Sequence, residues 1–162
     1  MAFKYQKMKK LVVLLAFLMP LLASAQSRTT QAFHKDHEDA FVLFFYSNTL
    51  KMLNQTDDPE FAEMIKQIEK MKFVRVNRKD DGFDKEDYTD LVEDYKDEDF
   101  EDLMTMRHEG MNVNAYIQEK DGVTTGIVML MQDDESVSVL DIKGSIPLNK
   151  IGSILSKVQD FN

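Results

Sequence analysis

The chain has 162 residues, 43% apolar and 30% charged, the balance of one compact domain and too polar for an integral membrane protein. It has no cysteine, which excludes disulfide scaffolds, cysteine-ligated zinc, iron–sulfur clusters and thiol catalysis. Its 29 acids against 20 Lys and Arg leave a net charge of −9, and so little positive surface argues against general binding of nucleic acid.

Residues 1–25 read as a signal peptide. Lys4, Lys7, Lys9 and Lys10 form a basic start without an acid, residues 11–22 are apolar apart from Pro20, and Ala23-Ser24-Ala25 places small residues where a signal peptidase reads them. Twelve helical residues reach about 18 Å, short of a hydrocarbon core of roughly 30 Å. Cleavage between Ala25 and Gln26 is therefore expected, and it would remove four lysines and take the charge from −9 to −13. No cysteine follows the cleavage point, so the product is expected to be exported, periplasmic or secreted, without a cysteine-linked lipid. No later apolar run is long enough for a transmembrane segment.

Residues 26–38 are polar and aperiodic and are expected to form a flexible arm, followed by a single α+β domain over 39–162. Ala40–Tyr46 is a continuous apolar and aromatic run, read as a buried strand leading into a short helix over Thr49–Asn54; one helix over 39–54 competes with that reading. Thr56-Asp57-Asp58-Pro59 signals a helix start, and Phe61, Met64, Ile65, Ile68 and Met71 follow at helical spacing. Phe73, Val74 and Val76 read as a strand, and Asp80-Asp81-Gly82 as a turn. Tyr88, Leu91, Val92 and Tyr95 form the apolar stripe of a helix over 84–97.

From Phe100 the period changes from 3.6 to 2. Four strands are expected, Phe100–His108, Met111–Glu119, Val123–Gln132 and Ser136–Lys143, with Glu109-Gly110 and Lys120-Asp121-Gly122 as hairpin turns. Val123–Met131 is apolar on both faces and so should be central. Pro147 opens a last helix with its stripe on Leu148, Ile151, Ile154, Leu155 and Val158. The expected class is α+β: a mostly antiparallel sheet ending in a four-strand meander, with helices packed mainly on one face.

The charge is uneven. Residues 66–79 hold six basic side chains against Glu69, while 80–102 hold thirteen acids against Lys85 and Lys96. Asp84, Asp87, Asp90, Asp94, Asp97 and Glu98 could form an acidic face for a protein partner or a cation, or simply a solvated helix surface. Asp97, Glu98 and Asp99 sit at the C-terminal end of the helix, the unfavourable end for anions.

Other constellations are weak. Aligned on Gly82, a calcium loop would need ligands from Lys79 and Tyr88, which cannot serve. His34 and His37 have a chelating spacing but lack a third ligand, and His108 stands alone at a strand end. There is no nucleophile motif and no phosphate-cradling glycine loop. The mature chain's methionines, Met129 and Met131 among them, mostly fall on apolar positions and read as core. No catalytic residue, metal ligand or cofactor is expected.

A wider pattern runs through the chain. Phe100-Glu101-Asp102-Leu103-Met104 leads into a strand ending at Gly110, and further strands flank Lys120-Asp121-Gly122. Asp133-Asp134-Glu135 then precedes Val139 to Ile146 and the helix start at Leu148 to Ile151. With Phe41 to Met52 and Lys72 to Arg78, this resembles the domain-of-unknown-function family DUF4252, small exported proteins of Bacteroidota-type bacteria, over roughly residues 38–158. The resemblance implies a fold and an export route but no activity, cofactor or catalytic residue. Many such proteins carry a cysteine just after the signal, where this chain has Gln26. The expectation is a non-enzymatic interaction module of the cell envelope, with a cation- or small-ligand-binding role for 80–102 as the alternative.

Overall fold

The structure, a computed structural model, describes residues 26–54 and 57–145. The expected signal peptide with Ala23 and Ala25, and the expected helix from Pro147, lie outside these residues.

Residues 26–38, expected to be a flexible arm, instead carry helix α1, Arg28–Asp36. The Ser27 hydroxyl caps it by accepting the Thr30 N–H at 3.1 Å. Thr29, Thr30 and Phe33 are buried. One aromatic in nine residues shows no stripe in the sequence, so docking rather than periodicity defines this helix.

Strand β1, Phe41–Tyr46, is followed by helix α2, Ser47–Leu50, and a 3₁₀ turn, Lys51–Leu53. Strand followed by helix is thus the correct choice over one long helix. Helix α3, Pro59–Ile65, starts as expected, with Asp58 accepting the N–H groups of Glu60 and Phe61. It ends early, because Ile68 and Met71 belong to strand β2, Ile68–Asn77. Pairing with neighbours on both sides overrides the local helical spacing there.

A single turn, α4, Arg78–Asp81, ends at Gly82, whose φ of +65° is left-handed. Helix α5, Lys85–Lys96, matches the expected span and opens with a capping box between Asp84 and Asp87. Strands β3 (Glu101–His108), β4 (Met111–Lys120), β5 (Val123–Gln132) and β6 (Ser136–Gly144) complete the described chain. Glu109-Gly110 and Asp121-Gly122 have positive φ at both residues, as two-residue hairpins require.

The sheet is antiparallel throughout, in the order β1-β2-β6-β5-β4-β3. β5 is internal, as its two apolar faces demand, and β3 to β6 form the meander. Helices cover both faces rather than mainly one. Leu50, Phe61, Met64 and Ile65 pack with Met71, Phe73, Met129 and Leu140 on one side. Phe33, Leu91 and Tyr95 pack with Val74, Val128, Leu130 and Val139 on the other. Adjacent residues of β5, such as Val128 and Met129, point to opposite faces and are both buried, so each face needs cover.

Candidate functional site

The expected acidic face is divided among structural duties. Asp84 Oδ1 accepts the N–H groups of Glu86 and Asp87 at 2.7 and 3.1 Å, and Asp87 accepts that of Asp84 at 2.7 Å. Asp97 is the C-cap residue of α5. Glu98 turns to the start of α1, where it accepts the N–H groups of Arg28 and Thr29 at 2.8 and 2.6 Å and the Thr29 hydroxyl at 2.6 Å. An acid misplaced for its own helix is thus well placed for another, because the N-terminus of α1 gathers unpaired N–H groups. Burial acts to raise the Glu98 carboxyl, but these donors and the Arg28 guanidinium bring it below its usual range.

Asp87, Asp90 and Asp94 line a cavity of about 360 Å³ that also includes Asp36, His37 and Asp81. Among the described residues, no three His, Asp or Glu side chains are grouped so as to hold a metal ion. His34 and His37 are held apart by their partners: His37 lies 3.7 Å from Asp81 and stacks obliquely on Phe33, while His34 faces Lys72. His108 is exposed beside Glu109.

The polar centre of the molecule was not anticipated. Asp141 of β6 is 2% exposed, and its Oδ2 accepts the Ser27 N–H at 3.1 Å and the Ser27 hydroxyl at 2.9 Å. Thr30 Oγ1 shares a hydrogen bond of 2.7 Å with the hydroxyl of Tyr95, a fully buried residue. Burial pushes the Asp141 carboxyl up, against the hydrogen bonds of Thr30 and Ser27.

Across the sheet, Phe44, Lys72 and Asp141 are direct partners on β1, β2 and β6. Lys72 is 3% exposed; its Nζ lies 3.1 Å from His34 Nδ1 and 5.1 Å from the centre of the Phe44 ring. Burial lowers the Lys72 ammonium, and the Asp141 charge partly restores it. Burial and the Lys72 charge lower His34. Asp141, set between the apolar Leu140 and Ile142, was the available sequence signal for this cluster.

Strand β1 is half exposed rather than buried. Among the described residues β2 is the one strand that pairs with it, which places β1 at the edge of the sheet. Phe41, Phe44 and Tyr46 are 50%, 46% and 59% exposed.

Neither a curated protein nor a solved structure matches the chain. The family model described as Domain of unknown function (DUF4252) matches residues 33–154, from Phe33 of α1 through all six strands. The chain therefore belongs to the DUF4252 family.

Proposed function

We propose that this protein is an exported, non-enzymatic interaction module of the cell envelope, periplasmic or secreted, which holds a protein partner at β1, the edge strand of the described sheet, through the exposed side chains of Phe41, Phe44 and Tyr46. Export rests on the basic start, the apolar run of residues 11–22 and the Ala23-Ser24-Ala25 site. The observation that carries the interaction is β1 itself. Its sequence, FVLFFY, has no charge, Gly or Pro, and three of its aromatic side chains face solvent. Edge strands are ordinarily blunted by charges, prolines or bulges, and a long apolar edge is a template for an added strand.

The test is affinity capture from envelope extract at low and high salt, with three baits: wild type, Phe41→Lys and the double variant Asp90→Lys, Asp94→Lys. The expected result is one partner retained at high salt and by the aspartate variant but lost by Phe41→Lys. A partner lost at high salt and kept by Phe41→Lys would move docking to the acidic helix. No partner under any condition would remove the reading.

A further inference from the structure

Between the α1 segment and the β1 edge lies a cavity of about 400 Å³, lined by Gln26, His34, Phe44, Tyr46, Lys70 and Lys72 among others. On a chain with net charge −9, no carboxylate lines it among the described residues. Two of its lining groups are donors with unmet demand. Lys72 is 3% exposed, and what its Nζ meets is an imidazole nitrogen and an aromatic ring. Asp141, its neighbour on β6, turns a carboxylate oxygen to Ser27. The buried Nε2 of Gln26 has no hydrogen-bond partner. Buried donors are nearly always satisfied, and Gln26 borders the cavity with its Nε2 sealed from solvent, so a small turn of the amide would bring an unmet donor to an acceptor that arrives from outside.

We propose that this cavity binds a carboxylate carried on an apolar or aromatic body, the carboxylate taken by Lys72 Nζ and Gln26 Nε2 and the body laid against Phe44 and Tyr46. One buried ammonium and one amide suit a monoanion with two oxygens better than a phosphate dianion, which calls for more charge and more donors. His34 supports the arrangement from behind. Its lowered basicity keeps the ring neutral near pH 7, so Nδ1 can accept from Lys72 instead of repelling it. The volume suits a ligand the size of an amino-acid derivative. The larger cavity of about 550 Å³ around Arg78 also has an orphan donor, Arg78 Nε, but Asp133 and Asp134 line it.

The carboxylate has two possible sources, a free small acid or the end of a peptide laid along β1. The free-acid source is independent of the β1 reading, and the peptide source rests on it. The test is a ¹H–¹⁵N NMR titration of the full chain with N-acetylphenylalanine, and with its uncharged amide as the control. The expected result is saturable shifts confined to residues 26–34, 44–46 and 70–72, with binding at least tenfold weaker for the amide. Lys72→Met should weaken the acid at least tenfold, and Gln26→Ala, which leaves the core intact, about threefold. A hexapeptide with a free C-terminal phenylalanine supplies the second arm. Tighter binding than the single residue, lost in Phe41→Lys, assigns the peptide source; equal binding, unaffected by Phe41→Lys, assigns the free acid. No saturable shift at 10 mM acid, equal binding of acid and amide, or indifference to both Lys72→Met and Gln26→Ala would overturn the proposal.

Discussion

Lys72 and Asp141 are direct neighbours on β2 and β6, and each is bonded to a different end of helix α1. Lys72 meets His34 in the last turn, and Asp141 meets Ser27 at the N-cap. The buried charges therefore act as two anchor points for a nine-residue helix with little apolar surface of its own. Glu98 and Tyr95 add anchors from α5.

Asp141→Ala removes the acceptor of both the Ser27 N–H and the Ser27 hydroxyl. The expected loss is about 2–3 kcal/mol, read from urea unfolding. Hydrogen exchange at Thr30 to Phe33 should quicken by a larger factor than exchange in β5, because α1 is released first. A stability change within 0.5 kcal/mol of zero would refute the anchoring role.

Acid stability should split by sign between two carboxylates. Glu98 has a lowered pKa when folded, so its stabilisation is complete above its unfolded value near 4.5 and is lost as pH falls through the folded value. Asp141 has a raised pKa, so its stabilisation is complete below its unfolded value near 3.8 and is lost as pH rises through the folded value. Between pH 5 and pH 3, Glu98→Gln should flatten the fall in urea midpoint and Asp141→Asn should steepen it. Matching slopes in the two variants would contradict both assignments.

Two glycines with left-handed φ should respond unequally to alanine. Gly110 has φ +85° and open space where a Cβ would go, so Gly110→Ala should cost about 1 kcal/mol, the conformational term alone. At Gly144, with φ +140°, a Cβ would meet the Gln67 carbonyl oxygen and the Ile68 backbone, so the chain itself must move. Gly144→Ala should cost at least about twice as much, since steric strain adds to the conformational term. Paired thermal melts would show it, and equal melting temperatures would count against the close approach of Gly144 to the start of β2.

Charge reversal separates surface acids from structural ones. Asp90 and Asp94 are exposed on α5, so Asp90→Lys with Asp94→Lys should leave stability within about 0.5 kcal/mol. Glu98→Gln should cost more at neutral pH than both together, because Glu98 alone of the three holds the N-terminus of α1. The urea midpoints of the two variants decide the order.

Legibility in the sequence followed physical locality. The meander was readable because the Glu109-Gly110 and Asp121-Gly122 turns and two-residue alternation are local signals, and α5 because Leu91 and Tyr95 repeat at helical spacing. Helix α1 was not readable, since its stability comes from Asp141 and Glu98, far away in sequence. The same holds for the cavity: nothing local to Lys72 shows that it will be buried between Phe44 and Asp141. Strand β1 was identified but misplaced, because a continuous apolar run looks the same at the centre of a sheet and at an exposed edge.

The strand order has a kinetic consequence. β3 to β6 join through short turns and can assemble by neighbour-to-neighbour closure, whereas the β2–β6 pairing brings Val74 to Val139, 65 positions away. The meander is thus the natural folding nucleus, and β2 with β1 must add to it afterwards. Helix α1 comes last, since its seat needs Asp141 from the final strand and Glu98 from α5 to be in place. The residues nearest the start of the described chain are therefore the final piece to lock.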